Sequence, residues 1–222
     1  MSTTTGALFE GFKPQGWVML AGALPSIGGA FPDLAGRLLE RIDLSRLLLG
    51  ITARSARSQG FAAFMEELGE LIEAEGIILA LGEEDTYRLE DAGLIVLAGG
   101  DAREWLDALA HGGLGQRLLE FLRTEGLVLA AGAPAGVLGS WALAEGAGRT
   151  IEALGWLPGA IVLPGASDPA ALPEVRELLD SSVRRFALGL PPDTALALGP
   201  EGRAEVWSLA APKLVLGKGW RE

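Results

Sequence analysis

Five small residues, Gly132-Ala133-Pro134-Ala135-Gly136, interrupt an apolar run that starts at Leu127 and resumes at Val137 and Leu138. A run that breaks in this way and then takes up helical spacing reads as a buried strand, a sharp turn and a helix. A strained strand-to-helix turn lifts its central side chain above the sheet, and small flanking residues let the backbone close that tightly. This geometry suits a nucleophile, as in a G-x-S-x-G elbow. The central position here is Pro134, which carries no heteroatom. A second glycine-rich turn, Gly99-Gly100-Asp101, follows the apolar stretch ending at Ala98. Two readings are open for it. Its backbone amides can be offered to an anionic or carbonyl ligand at the start of a helix, or the glycines only make a tight turn that Asp101 caps.

Other chemistry-bearing side chains are scattered. Ser140 lies beyond Pro134 on the expected elbow helix, more than one turn along it and away from the strand ends where a cleft would open. His111, the only histidine, follows the helix that starts at Asp101. It belongs at the opposite end of the sheet, where the helix dipole favours it. A nucleophile and its base must touch, so Ser140 and His111 are not expected to act as a pair. Glu83, Glu84 and Asp85 form an acidic loop without a clustered histidine or further spaced carboxylates, which reads as solvated rather than metal-binding. Trp105, Trp141 and Trp156 could line a cleft, but their spacing favours the core. The sequence has no phosphate-cradling loop and no dinucleotide fingerprint, so no cofactor and no metal are expected.

The elements that must position these turns alternate between strand and helix. Residues 17–22 read as a first strand, Leu47–Thr52 as a second, Ile77–Leu81 as a third, Gly93–Ala98 as a fourth and Leu127–Ala131 as the strand before the elbow. They are continuously apolar, as in a parallel sheet covered on both faces. A helix capped by Asp33 carries Leu34, Leu38 and Leu39 inward. The clearest helical period places Phe61, Phe64, Met65, Leu68, Leu71 and Ile72 on one face and Glu66, Glu67, Glu70 and Glu73 on the other. Two helices fill the stretch from Asp101 to Thr124. After the elbow come a loop and strand over residues 155–163 and a last helix marked by Val175, Leu178, Leu179, Val183 and Phe186. Residues 193–198 and 204–209, joined across Gly199-Pro200-Glu201-Gly202, read as an antiparallel hairpin. The expected fold is a three-layer α/β/α sandwich with a mostly parallel sheet and a C-terminal β-hairpin. Residues 1–15 form a loose arm and residues 16–222 one domain.

Composition narrows the partners. The chain has 222 residues, a net charge of -11 and a pI near 4.7. The charge works against nucleic acid and anionic membrane, and Lys13, Lys213, Lys218 and the pair Arg184-Arg185 make no basic patch. With no cysteine, disulfides and thiolate chemistry drop out. Asparagine is absent and arginine outnumbers lysine, a bias that fits a thermophile or a GC-rich genome. Residues 1–15 do not look like a secretory signal. The uncharged stretch 126–144 is about long enough to span a bilayer, but its glycines and Pro134 mark it as a core element. A cytoplasmic protein is expected.

The order of motifs resembles that of the cyanophycinase and dipeptidase E family of serine peptidases, which have a flavodoxin-like, class I glutamine-amidotransferase-like fold. Gly22 stands where that family has a glycine-rich strand end, and residues 97–101 resemble its GGD/GGN oxyanion-hole motif. Gly132 to Gly136 is similar to its G-x-S-A-G elbow, residues 155–159 to its GLGLLPG segment, and Gly189 to Leu198 to the start of its hairpin. The likeness spans nearly the whole chain. It implies a nucleophilic serine at Pro134 and a basic histidine at Gly165, and both are missing. The resemblance therefore implies a non-catalytic homologue that binds a small or peptide-like ligand at the former oxyanion hole and cleft, at Gly99, Gly100, Asp101, Ala133, Pro134 and Ala135. A peptidase or amidase acting through other residues, and a structural or assembly protein with a closed cleft and a homodimer interface, are the alternatives.

Overall fold

The structure is a computed structural model that describes residues 12, 14–26, 31, 33–53, 59–83, 89–144, 148–181 and 183–220. Most of the expected N-terminal arm, together with Glu84 and Asp85 of the acidic loop, lies outside these residues.

Seven strands form the main sheet: β1 (Trp17–Ala21), β2 (Leu47–Thr52), β3 (Gly76–Ala80), β4 (Ala92–Ala98), β5 (Leu127–Ala131), β10 (Ala195–Leu198) and β11 (Ala204–Val206). Their order is β11-β10-β1-β5-β4-β2-β3. The five from β1 to β3 run parallel, and the expected C-terminal hairpin, β10 with β11, adds to β1 antiparallel. The central strands are buried on both faces because side chains alternate across the sheet. In β4, Leu94, Val96 and Ala98 join one core, while Ile95 and Leu97 join the other. The first core is closed by α1 (Leu34–Leu39) and α2 (Gln59–Ile72), through Leu34, Leu38, Phe61, Phe64, Met65 and Leu68. The second is closed by α3 (Ala102–Leu106), its π-helical continuation Asp107–His111, and α4 (Leu114–Leu122), through Trp105, Leu109, Leu118 and Phe121. This is the expected mostly parallel sheet between helical layers. At its edge, β3 departs from the expectation of continuous burial and leaves Ile78 41% exposed.

A second sheet, not foreseen from the sequence, packs on the α3/α4 side. Its order is β12-β9-β8-β6-β7, built from β6 (Gly139–Ala144), β7 (Arg149–Glu152), β8 (Leu157–Pro164), β9 (Phe186–Leu190) and β12 (Lys213–Leu216). Ala160, Val162, Phe186 and Leu188 face the shared core; Ile161, Leu163 and Ala187 face away, under α6 (Pro173–Leu179).

Three local expectations are corrected. The elbow helix, α5, spans only Ala133–Val137, so Ser140 lies on strand β6 and not on a helix. A Cβ on Gly139 would stand 2.8 Å from the Ala160 carbonyl, so the chain runs there as a strand pressed against β8. The last helix ends at Leu179, and Phe186 opens β9. Asp33 sits at the N-terminus of α1 without a side-chain capping bond; its carboxylate lies 3.7 Å from Arg37, and Leu39 is exposed. No helix among the described residues is long and apolar enough to cross a membrane.

Candidate functional site

The two glycine-rich turns meet at the carboxyl ends of adjacent strands, where open α/β sheets place their crevice. Ala98 and Ala131 are register partners at the ends of β4 and β5, so Gly99-Gly100 and Gly132-Ala133-Pro134 leave the sheet side by side.

The elbow is built as the spacing predicts. Gly132 has φ 72° and ψ -132°, which an L side chain rarely adopts, and its N–H donates to the Ala21 carbonyl at 3.1 Å. Pro134 falls in the first turn of α5, where a missing N–H costs little. It is buried. The amide after it is already used: Ala135 N–H donates to the Gly132 carbonyl at 2.9 Å. The turn thus presents neither a nucleophile nor a free amide from Ala135.

At the other turn, the Asp101 carboxylate accepts from the amides of Arg103 and Glu104 at 2.8 and 3.0 Å. Asp101 thus caps α3. Trp105 is wholly buried, and its Nε1–H donates to the Gly99 carbonyl at 2.6 Å. A Cβ on Gly100, at φ 69°, would stand 2.2 Å from the Cβ of Ala53.

Gly165 follows β8, with φ 79° and its N–H donating to the Leu190 carbonyl at 2.7 Å. It is exposed, and a Cβ there would meet nothing within 4 Å. Its neighbour Pro164 packs against the elbow helix, with Cδ 3.4 Å from where a Cβ on Gly136 would stand. The chain neighbours of Pro134 and Gly165 thus come together, Gly136 against Pro164. A cavity of about 350 Å³ opens there, lined by Ala133 and Gly136 on one side and by Pro164 and Ala166 on the other. Ala142, Leu143, Val162, Leu163 and Leu172 add to an apolar wall, and among the described lining residues Arg149 and Glu174 are the charged ones. Among the described lining residues there is no hydroxyl, thiol or imidazole.

The scattered candidates stay apart. Ser140 Oγ accepts from Gly159 N–H at 2.9 Å and donates to the Leu157 carbonyl at 3.3 Å, tying β6 to β8 across their register shift. The His111 side chain is 81% exposed at the end of the π turn, 4.0 Å from Asp107. Trp141 is covered by Arg185 at 4.5 Å, and Trp156 stacks on Phe12 with ring centroids 6.2 Å apart; neither lines the cavity. Glu83 accepts from the Ala80 amide at 3.0 Å. Sequence reasoning missed Arg149 and Glu174, which come from β7 and α6, and no local pattern marks either.

No protein-family model matches this sequence, and no curated protein is similar to it at the sequence level. Solved structures are similar in fold. One is a peptidase from an acI-B1 Actinobacterium, with a TM-score of 0.64 at 20% identity over 93% of this chain and 92% of that one. Another is a candidate peptidase E protein from Listeria monocytogenes EGD-e, with a TM-score of 0.55 at 12% identity over 90% of this chain and 98% of that one. The chain therefore has a peptidase-like α/β fold, with a mostly parallel sheet flanked by helices.

Proposed function

We propose that this chain is a non-catalytic relative of the cyanophycinase and dipeptidase E-type serine peptidases, and that it binds a small or peptide-like ligand in the cavity beside the elbow. The observation that carries the proposal is the lining of that cavity. It is lined by Ala133, Pro164 and Ala166, the chain neighbours of the two positions where the resemblance implies a serine and a histidine, and its described lining residues offer no hydroxyl, thiol or imidazole. Glu174 is the one carboxylate among the described lining residues, and none of them carries a hydroxyl. The cavity stays open even though Pro134 is buried, which favours a binding role over a filled, purely structural cleft.

Single-turnover hydrolysis of a panel of dipeptides and isoaspartyl peptides tests this. Wild-type chain is expected to be inert, and the double variant Pro134→Ser, Gly165→His to gain weak turnover. Because Gly165 has a positive φ, the second substitution is expected to cost about 1–2 kcal/mol of stability, so Tm is measured alongside. Robust wild-type hydrolysis would overturn the proposal.

A further inference from the structure

We infer that the open edge of β3 takes up an extended segment of a partner protein as an added strand, and that this segment is basic at alternate residues. The inference is independent of the elbow cavity. β3 closes one side of the main sheet, and among the described residues it pairs with β2 alone. Backbone groups along a strand point to its two sides in turn. Leu48 N–H donates to the Glu75 carbonyl at 3.1 Å and Leu81 N–H to the Thr52 carbonyl at 2.9 Å, so the odd-numbered residues 75–81 are turned to β2. Gly76, Ile78 and Ala80 therefore point their N–H and C=O outward. Ala80 is closed off, since its N–H donates to the Glu83 carboxylate at 3.0 Å and its carbonyl accepts from Glu83 N–H at 2.9 Å. Gly76 and Ile78 are exposed, which leaves two donors and two acceptors for another strand. Edge strands are usually guarded by charge or proline. The other three edges carry such charges: Glu205 on β11, Lys213 on β12, and Arg149 and Glu152 on β7. β3 reads Gly-Ile-Ile-Leu-Ala and carries none.

Charge selects the occupant. A groove of about 460 Å³ runs between β3 and α2, lined by Ala62, Met65, Gly69 and Ile78 together with Glu66 and Glu70. Both glutamates are exposed. Residues 59–83 carry Glu66, Glu67, Glu70, Glu73, Glu75 and Glu83 and no lysine or arginine. Glu66 and Glu70 lie one helical turn apart, about 6 Å along α2, and same-face residues of a strand repeat at about 6.6 Å. Lysines at i and i+2 of an added strand can thus reach both carboxylates, with their methylene stems along Ala62, Met65 and Gly69. A second copy of this chain is disfavoured as the occupant. Pairing β3 with β3 would set Glu66 and Glu70 of each chain beside those of the other, and like charges across a strand pair are destabilising.

Fluorescence anisotropy of the full chain with labelled, end-capped Lys-Val-Lys-Val-Lys-Val tests this, alongside the scrambled Lys-Lys-Lys-Val-Val-Val. The alternating peptide is expected to bind at least tenfold more tightly than the scrambled one and to shift the amides of Gly76 and Ile78. The double variant Glu66→Gln, Glu70→Gln should weaken binding at least fivefold. Asp193→Asn with Glu201→Gln, which removes the same charge from the hairpin on the opposite side of the sheet, should change it less than twofold. Ile78→Pro deletes an outward N–H and leaves the ladder to β2 intact, so it should weaken binding at least tenfold. Should that variant not fold, methylation of the peptide's backbone nitrogens carries the test: methylating all lysines in one peptide and all valines in another should abolish binding in one and spare it in the other. No binding, equal binding of alternating and scrambled peptides, or equal behaviour of the two methylated peptides would overturn the inference. A dimer in sedimentation that Ile78→Pro dissolves would give the edge to a second copy and overturn it too.

Discussion

The indole Nε1–H of Trp105 donates to the carbonyl of Gly99 at 2.6 Å, so a side chain on α3 holds the turn that carries the chain off the end of β4. The bond explains why a tryptophan that fits a core position by size is also fixed in orientation.

Removing that donor should be felt. Trp105→Phe keeps most of the packing but leaves a carbonyl without its partner, at a cost of about 1–3 kcal/mol. Thermal unfolding should show Tm lower by roughly 3–10 °C for a chain of this size. An unchanged Tm would mean that water replaces the indole freely.

Gly100 and Gly113 separate backbone strain from crowding. Both have positive φ, but a Cβ on Gly100 would meet Ala53 at 2.2 Å, whereas one on Gly113 would meet nothing within 4 Å. Gly113→Ala should cost only the torsional penalty, about 1–2 kcal/mol. Gly100→Ala should add an overpacking penalty of about 1–3 kcal/mol. Chemical denaturation of the two variants in parallel reads the difference, and equal costs would show that the approach of Ala53 does not constrain this turn.

Arg41 ties the hairpin to the first helix. Its guanidinium lies 4.7 Å from the Trp17 ring and 5.0 Å from the Trp207 ring, with Nη2 3.2 Å from a Glu205 oxygen. Arg41→Lys keeps the charge but loses the flat group that stacks on both rings. A loss of about 1–2 kcal/mol is expected, together with a change in tryptophan emission. A lysine variant with wild-type stability and emission would reduce the contact to simple charge pairing.

A surface pair supplies a pH test. Lys213 donates to the Asp168 carboxylate at 2.7 Å, linking β12 to the segment that leaves β8. That hydrogen bond holds the Asp168 carboxyl below its ordinary value of 3.8. Because the folded-state value is the lower one, the contribution is fully present above the unfolded aspartate range and is lost as pH falls through the folded value. Carboxyl NMR titration should place Asp168 below 3.8 in the wild type, and Lys213→Met should move it back up. An Asp168 titration identical in both chains would sink the assignment.

The sequence by itself determined the main sheet and the character of its crevice. Strands β1, β2, β4 and β5 are short apolar runs, three of which end at a glycine, and the order of strand and helix leaves few topologies open. The elbow and the glycine pair were legible because their backbone needs small residues at set places, as Gly132 and Gly100 show. That Pro134 and Gly165, the positions to which the resemblance points, carry no nucleophile and no base was legible too, once the motifs were placed in order. The second sheet was not. Residues 139–144 continue an apolar stretch whose length alone fits a helix, and only pairing with β7 and β8 makes it a strand. The same ambiguity joined Phe186 to a helix that stops at Leu179. Arg149 and Glu174 stand 25 residues apart in sequence, on β7 and α6, and look like ordinary surface charges. Only the packing of α6 on the second sheet, and of that sheet on the elbow, puts them on one cavity wall, because long-range contact, and not local pattern, decides which exposed charges share a surface.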